Sequence, residues 1–371
     1  MPDNWQSALE RWTTAGFLDA VAADRIRAFE ASREEPTQFR WPILIAIGFG
    51  ALMLGAGVLL FVSAHWDELS PARRFSIVLI LVAAFHVVGA LLSDRFPAFA
   101  SAMHAVGTAA LGAGIFLSGQ IFNLEEHWPG GVMLWALGAW MGWWLRRDWV
   151  QAAFVALLTP GWLASEWIDA TEHFPRAETI LGQAVLLLAV TYLSAQFAEQ
   201  RGSTRRVLAW IGGIALIPAS IAAVPGTLWS GYRPDLPLRF ILIGKLLGYG
   251  LPLLLAVWLR GRAAWINAVA ASWIFILGLI SPNAKLAPYL WCAVASLALI
   301  AWGLKELRRE RINLGIVGFG ITVLAFYFSN VMDKLGRSAS LIGLGLLFLV
   351  MGWGLERTRR RLVARVKGAA A

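Results

Sequence analysis

Apolar segments of about 20 residues, separated by short clusters of Arg, Pro, Asp or Asn, follow one another along almost the whole chain after residue 40. As a helix, each segment is long enough to cross a hydrocarbon layer ~30 Å thick, where lipid offers no partner to an unpaired peptide group. The sequence therefore predicts an all-α, polytopic transmembrane helical bundle. About 12 spans are predicted, at 41–63, 74–93, 98–118, 130–145, 149–168, 179–198, 206–224, 239–259, 263–281, 286–303, 312–329 and 338–355.

The composition agrees with a chain that is almost entirely embedded in lipid. Hydrophobic residues make up 58% of the 371 residues and charged residues only 15%, far from the balance of a soluble protein. Little sequence is left for a soluble domain. We predict a short cytoplasmic helical hairpin at 1–40, the transmembrane bundle at 41–355 and a basic cytoplasmic tail at 356–371.

The distribution of basic residues predicts how the chain threads the membrane. Of the 32 Lys and Arg, 23 fall at the two ends and in the connections on the N-terminal side, and 8 fall in the opposite connections. Basic loops stay in the cytoplasm, so we expect both termini there and an even number of spans. The net charge of +9 then serves orientation and attraction to anionic lipid, and no nucleic-acid partner is predicted.

The polar N-terminal stretch has the pattern of two short helices. They are broken at residues 13–16, and Asp19 is in a position to cap the second helix. Trp5, Leu9 and Trp12 share one face of the first helix. This face has two interpretations: it docks on the bundle or the inner leaflet, or residues 5–29 form a hairpin that binds a protein partner.

Several stretches resemble a known family. They are "LERWTTAGFLDAVAADRIRAFE", "LGAGVLLFVSAHWDEL", "GQIFNLEEHWPGGVMLWALGAW", "RRERINLGIVGFGITVLAFYF" and "GLERTRRRL". The chain is similar here to the bacterial integral-membrane proteins grouped as domain of unknown function 2157, and the domain proper would cover residues 8–150. The resemblance implies a multi-pass protein of the bacterial inner membrane with no assigned activity, and it brings no catalytic residues.

A lysine lies inside predicted span 8. Lys245 is six residues from Arg239, where the span begins, so its backbone is ~9 Å below the outer membrane boundary. Its long stem can carry the ammonium group to the lipid headgroups, which avoids the cost of a charge at the bilayer centre. A purely structural lysine is therefore one interpretation of this position.

The neighbours of Lys245 support a second interpretation, a site for a solute or ion. Gly244, Gly248 and Gly250 weaken the helix and Pro252 removes a backbone hydrogen bond, so we expect an interruption here. Interrupted helices near mid-membrane hold substrates or ions in many transporters. The residues predicted for this site, on spans 5, 7 and 8, are Lys245, Gly248, Gly250, Pro252, Glu166, Pro160 and Pro218. Lys245 would contact an anion or pair with Glu166 or Asp169.

Two membrane-embedded histidines form another candidate site. His86 on span 2 and His104 on span 3 each lie nine residues from the turn near Arg95. Antiparallel helices joined by so short a turn place both imidazoles at a similar depth. Such a pair can relay protons or ligate haem or a metal, and isolated histidines in spans also simply hydrogen-bond a neighbouring helix. We predict no cofactor.

Three predicted outer connections combine a histidine with carboxylates. They hold His65, Asp67 and Glu68; Glu125, Glu126 and His127; and Asp169, Glu172 and His173. Divalent metals accept such ligands, but no two of these histidines have a metal-binding spacing in the sequence. We interpret them as a solvated acidic rim and predict no metal site.

No familiar catalytic motif occurs in the chain. HExxH, GxSxG and GxxxxGK[ST] are all missing, and the single cysteine, Cys292, excludes an intrachain disulfide. No catalytic residue is assigned, although intramembrane enzymes can assemble sites from dispersed residues. The embedded lysine and histidines favour passage or sensing of a small solute or ion. The alternative is a scaffold or assembly protein that recruits its partner through the N-terminal hairpin.

Overall fold

The structure is a computed structural model. It describes residues 9, 12–33, 49–50, 53, 57, 70–122, 127–174, 177–197, 202–224, 236–280, 284, 286–330, 342–343, 345–346, 349, 352–353 and 357. The predicted spans at 41–63 and 338–355 lie outside this part of the chain except for isolated positions, as does almost all of the predicted basic tail.

Within the described ranges the regular structure is helical. The α-helices are α1 (Ala20–Arg33), α2 (Pro71–Leu91), α3 (Pro97–Phe122), α4 (Trp128–Arg146), α5 (Trp149–Ala170), α6 (Ala177–Leu193), α7 (Ser203–Ala223), α8 (Leu238–Arg260), α9 (Trp265–Leu277), α10 (Ala287–Lys305) and α11 (Arg309–Asn330). A 3₁₀ turn, Gly261–Ala264, joins α8 to α9. Helices α2 to α11 coincide with predicted spans 2 to 11 to within five residues at each end. The predicted all-α class is confirmed for these residues.

Six described stretches are long and apolar enough to cross a membrane. They are Pro71–Leu91, Pro97–Gly119, Ser203–Ala223, Leu238–Leu277, Ala287–Lys305 and Arg309–Asn330. The stretch Leu238–Leu277 contains both α8 and α9, which are two separate predicted spans. Large apolar side chains cover the outside of these helices, for example Leu246 and Leu254 on α8. Such a surface suits lipid rather than water, and the protein is a multi-pass membrane protein.

Contacts divide the chain into two compact units. The first contains Met1–Leu69 and Phe85–Val106, and the second contains Ser70–Ala84 and Gly107–Ala371. In the first unit, Gly16 adopts a φ of +76°, a left-handed turn that glycine makes without steric cost. Oδ1 of Asp19 then accepts a hydrogen bond from the amide of Ala22 at 2.6 Å. The predicted helix break and N-cap are both confirmed.

The second unit is built around α6. Leu186, Leu187 and Ala189 of α6 form a buried cluster with Ala219 and Ala223 of α7 and with Ala271, Ile274 and Leu277 of α9. Helix α8 packs on α6 as well, while α4 packs on α5 and α10 on α11. Gly261, with a φ of +56°, reverses the chain so that α9 returns along α8. The ring of Tyr249 consequently lies 6.4 Å from that of Phe275.

The predicted interruption of span 8 is wrong. Helix α8 continues through Gly248, Gly250 and Pro252, and α5 and α7 likewise continue through Pro160 and Pro218. The reason is tertiary packing, because a glycine also lets another helix approach closely. An added Cβ at Gly248 would lie 2.8 Å from the Cβ of Ala184 on α6.

Candidate functional site

Two membrane-embedded histidines meet in the first unit. His86 of α2 and His104 of α3 both belong to the first unit, and their Nδ1 atoms are 3.0 Å apart. Their ring centroids are 5.3 Å apart and the planes are tilted by 35°. At this distance one Nδ1 donates a proton and the other accepts it. The structure therefore brings together the two histidines that the hairpin length placed at a similar depth.

Small residues allow α2 and α3 to come this close. Gly89 lies one turn after His86 and is buried against His104, where an added Cβ would sit 2.8 Å from Nε2 of that ring. Ala100, also on α3, is fully buried, and Phe85 borders the pair on α2. His104 is buried and His86 is half-buried, and the pair lies in an apolar setting.

Lys245 and Glu166, predicted as a pair, do not meet. The ammonium group of Lys245 lies over the ring of Phe275 on α9, 4.8 Å from its centroid. Oε2 of Glu166 instead accepts a hydrogen bond from Nε2 of His127 at 2.8 Å, and Oε1 accepts one from Nε1 of Trp162 at 2.9 Å. The expected pair is wrong, because the Glu166 carboxylate is bound by His127 and Trp162 while Lys245 lies against α9.

The three prolines predicted for the solute site lie in different surroundings. Pro252 is buried on α8, where its carbonyl accepts a hydrogen bond from the hydroxyl of Thr191 at 3.4 Å. Pro160 is half-buried on α5 and Pro218 is exposed on α7. Thr191 and Pro252 join α6 to α8, so Pro252 serves the packing of the bundle.

The constellation predicted for the outer connections is partly assembled. Nδ1 of His127 lies 3.3 Å from Oδ2 of Asp169, in addition to the contact with Glu166. The hydrogen bond to Glu166 raises the pKa of His127, and the charges of Glu166 and Asp169 act in the same direction. Among the described residues, no group of three His, Cys, Asp or Glu side chains is arranged to hold a metal ion. His65, Asp67, Glu68, Glu125 and Glu126 lie outside those residues.

A buried ion cluster was missed by the sequence analysis. Arg260, at the end of α8, donates from Nη2 to Oε1 of Glu306 at 2.6 Å, and Arg311 of α11 pairs with the other carboxylate oxygen. Both arginine side chains are fully buried. Desolvation raises the pKa of Glu306, but hydrogen bonds from Arg260, Trp302 and Arg311 outweigh it and hold the pKa below its ordinary value.

The same arginines bind carbonyls just beyond the end of α6, where no further helical turn supplies a partner. Arg260 donates to the carbonyl of Ser194 at 2.8 Å, and Arg311 donates to that of Gln196 at 2.8 Å. The cluster thus ties together the ends of α6, α8, α10 and α11. The sequence signal is two acidic residues, Glu306 and Glu310, in a mostly basic stretch, but a basic connection predicts the orientation of the chain and not a buried contact.

Comparison with known proteins gives one family match. The model of the family described as "Predicted membrane protein (DUF2157)" matches residues 10–152. This confirms the resemblance for that part of the chain, and the two C-terminal stretches that resemble the family lie after the match. The matched region contains His86, His104 and His127, whereas Lys245 and the buried ion cluster lie after it. No curated protein and no solved structure matches the chain.

Proposed function

We propose that this chain is a bacterial inner-membrane protein of about twelve spans, with both termini in the cytoplasm, that passes protons through the His86–His104 pair. The observation that carries the proposal is the distance of 3.0 Å between the two Nδ1 atoms. Histidine is the side chain whose unperturbed pKa lies closest to physiological pH. Two such groups in direct contact inside apolar helices support proton movement better than any other arrangement of the described residues.

The chemistry of a relay follows from the two nitrogens of each ring. In the neutral pair one imidazole carries its proton on Nδ1 and donates a hydrogen bond to Nδ1 of the other ring. The Nε2 atom of this donor ring is therefore unprotonated and can accept a proton. A proton arriving at that Nε2 makes an imidazolium, which can pass its Nδ1 proton to the second ring. The second ring then releases its own Nε2 proton, which on His104 requires a small opening of the contact between α2 and α3, because that atom is buried against Gly89. Two imidazolium ions 3.0 Å apart would repel each other, so the pair carries one extra proton at a time.

The test is proton flux into vesicles that contain the purified protein. A pH gradient is imposed, and the internal pH is followed with a trapped fluorescent dye. We expect flux above that of protein-free vesicles in the wild type, and its loss in His86→Gln and in His104→Gln. Because the two rings act in series, the double variant should lose no more than either single variant.

The matched control is His173→Gln, which removes an exposed histidine from the connection after α5. This variant should conduct like the wild type. Thermal unfolding of every variant separates loss of the relay from loss of the fold. Wild-type vesicles no more permeable to protons than empty ones, or full flux in both single variants, would refute the proposal.

A second candidate function, recruitment of a protein partner, is supported by the N-terminal hairpin. Phe17 and Val21 are 80% and 61% exposed, and Trp12 is also exposed. Leu9 and Ala23 are buried, so this segment is packed on one side and still presents large apolar side chains on the other. Exposed apolar groups next to each other are typical of a surface that binds something.

The hairpin can be tested by placing a photoreactive amino acid at Phe17 in living cells. A partner-binding hairpin gives a crosslinked protein band of defined mass, which Val21→Ser weakens. Arg27→Ser, a change at an exposed polar position of the same helix, is the control and should leave the band unchanged. Adducts formed only with lipid, or only with this chain, would exclude recruitment.

A further inference from the structure

An apolar groove of about 850 Å³ lies in the second unit, lined by α6, α7, α9, α10 and α11. Its lining residues on α10 run from Pro288 to Lys305, about 26 Å along a helix axis, close to the thickness of the hydrocarbon layer. Trp273, Cys292 and Ala298 are among the residues on its walls. Helices α10 and α11 pack closely on each other but only lightly on α7 and α9, which leaves this space open.

One end of the groove is cationic. Among the described residues that line it, Lys305 alone is charged. Its ammonium group lies 5.1 Å from the ring centroid of Trp265, and it forms no ion pair with a described residue. Lys305 is the last residue of a candidate span, so the ammonium group is at the level of lipid headgroups.

The surroundings of Lys305 strengthen this positive end. Other described basic residues at the same ends of the helices are Arg205, Arg206, Arg260, Arg262, Arg308, Arg309 and Arg311. The only described carboxylates in the adjoining connection are Glu306 and Glu310. Glu306 is already paired with Arg260 and Arg311, so it does not neutralise Lys305.

We propose that this groove holds an acidic glycerophospholipid, with its phosphate at Lys305 and an acyl chain along α10. The apolar walls of the groove can bury the acyl chain of the lipid. The ammonium group of Lys305, which has no ion pair with a described residue, can bind the anionic headgroup. Trp265 at the same end provides the amphipathic ring that favours the headgroup layer. This site is separate from the histidine pair and goes beyond the proton relay proposed above.

The experiment uses the full chain in lipid nanodiscs. A phosphatidylglycerol with a photoreactive group in its acyl chain is compared with a phosphatidylcholine carrying the same chains, and labelled residues are identified by mass spectrometry. We expect phosphatidylglycerol to label the α10 wall around Cys292 and Ala298 more strongly. Lys305→Gln should reduce this preference about fivefold, the factor that corresponds to ~1 kcal/mol per basic residue, and Lys305→Arg should keep it.

A matched pair of substitutions tests the groove itself. Ala298 lines it, whereas the neighbouring Leu297 is exposed and outside it. Ala298→Trp should abolish labelling of the α10 wall, and Leu297→Trp should leave it unchanged. Equal labelling by the two lipids, an unchanged preference in Lys305→Gln, or crosslinks only to this same chain would overturn the proposal.

Discussion

Single residues in this protein show that position decides what a charge does. The guanidinium of Arg311 lies over the ring of Trp302, 4.0 Å from its centroid, while its fully buried side chain pairs with Glu306. Burial of an unpaired charge would cost several kcal/mol. Glu306 therefore compensates two buried cations at once, whereas Lys245 avoids burial and rests against an aromatic ring.

Removal of the Glu306 carboxylate should destabilise the fold. Glu306→Gln leaves Arg260 and Arg311 buried without a compensating charge, a loss on the order of 3–5 kcal/mol. The measurement is the thermal unfolding temperature in detergent. Glu310→Gln is the control, because that carboxylate is half-exposed and lies 4.0 Å from Arg308, so its loss should cost less than ~1 kcal/mol. Equal unfolding temperatures for the two variants would contradict this account.

The contribution of Glu306 should depend on pH. Its folded-state pKa lies below the ordinary value of 4.5, so the folded protein holds the ionised form more strongly than the unfolded chain does. The stabilisation is fully present above pH 4.5 and is lost as the pH falls through the lowered pKa. The difference in unfolding temperature between wild type and Glu306→Gln should therefore shrink on acidification below pH 4.5. A difference that grows there would refute the assignment.

Among the helices, glycines act as contact points. Gly182 of α6 packs on the backbone of Ala222 in α7, and Gly212 of α7 packs on the backbone of α6 near Tyr192. With glycines on both sides, the two antiparallel helices approach closely along much of their length, as small residues permit in membranes. Gly244 and Gly248 of α8 have the same role, because an added Cβ there would meet Trp167 and Ala184, whereas Gly250 faces open space.

Two adjacent glycines of α7 separate packing from helix propensity. A Cβ at Gly212 would lie 2.9 Å from the carbonyl carbon of Tyr192, so Gly212→Ala forces α6 and α7 apart and should destabilise by ~1–3 kcal/mol. At Gly213 the nearest atom would be 3.5 Å away, on Leu314. Gly213→Ala should thus be neutral or stabilise by up to ~1 kcal/mol. The measurement is the chemical or thermal unfolding of both variants. Equal losses of stability in the two variants would exclude close packing at Gly212 as the cause.

At the scale of the whole molecule, the arrangement of the apolar stretches determines where the protein resides. Six described stretches are suited to crossing a membrane, and the family match describes a membrane protein. The expected twelve spans and the cytoplasmic location of both ends rest on the alternation of basic connections. One span more or fewer would reverse the predicted side of every later connection.

The predicted threading can be tested with single cysteines in a Cys292→Ser background. Asp235→Cys should react with a membrane-impermeant maleimide added to intact spheroplasts. Arg206→Cys should react only after the membrane is permeabilised, because positive connections remain inside. Reaction of both from the same side would refute the alternating twelve-span arrangement.

The helices could be located from the sequence because apolar length is a local property. Helices α2 to α11 end within five residues of the predicted spans. The length of the hairpin predicted that His86 and His104 lie at a similar depth in the membrane. It did not predict that the two imidazole rings touch. Arg260 and Glu306 are separated by 46 residues, and nothing local indicated that they meet.

The sequence alone thus determined that the chain is helical, where each described helix lies and that it belongs in a membrane, because hydrophobicity sums along the chain. Only the tertiary structure decided which polar groups touch: His86 with His104, Glu166 with His127 rather than Lys245, and Glu306 with two arginines. Each residue turns about 100° around its helix axis, so a small rotation or shift of one helix changes every partner while its hydrophobicity stays the same.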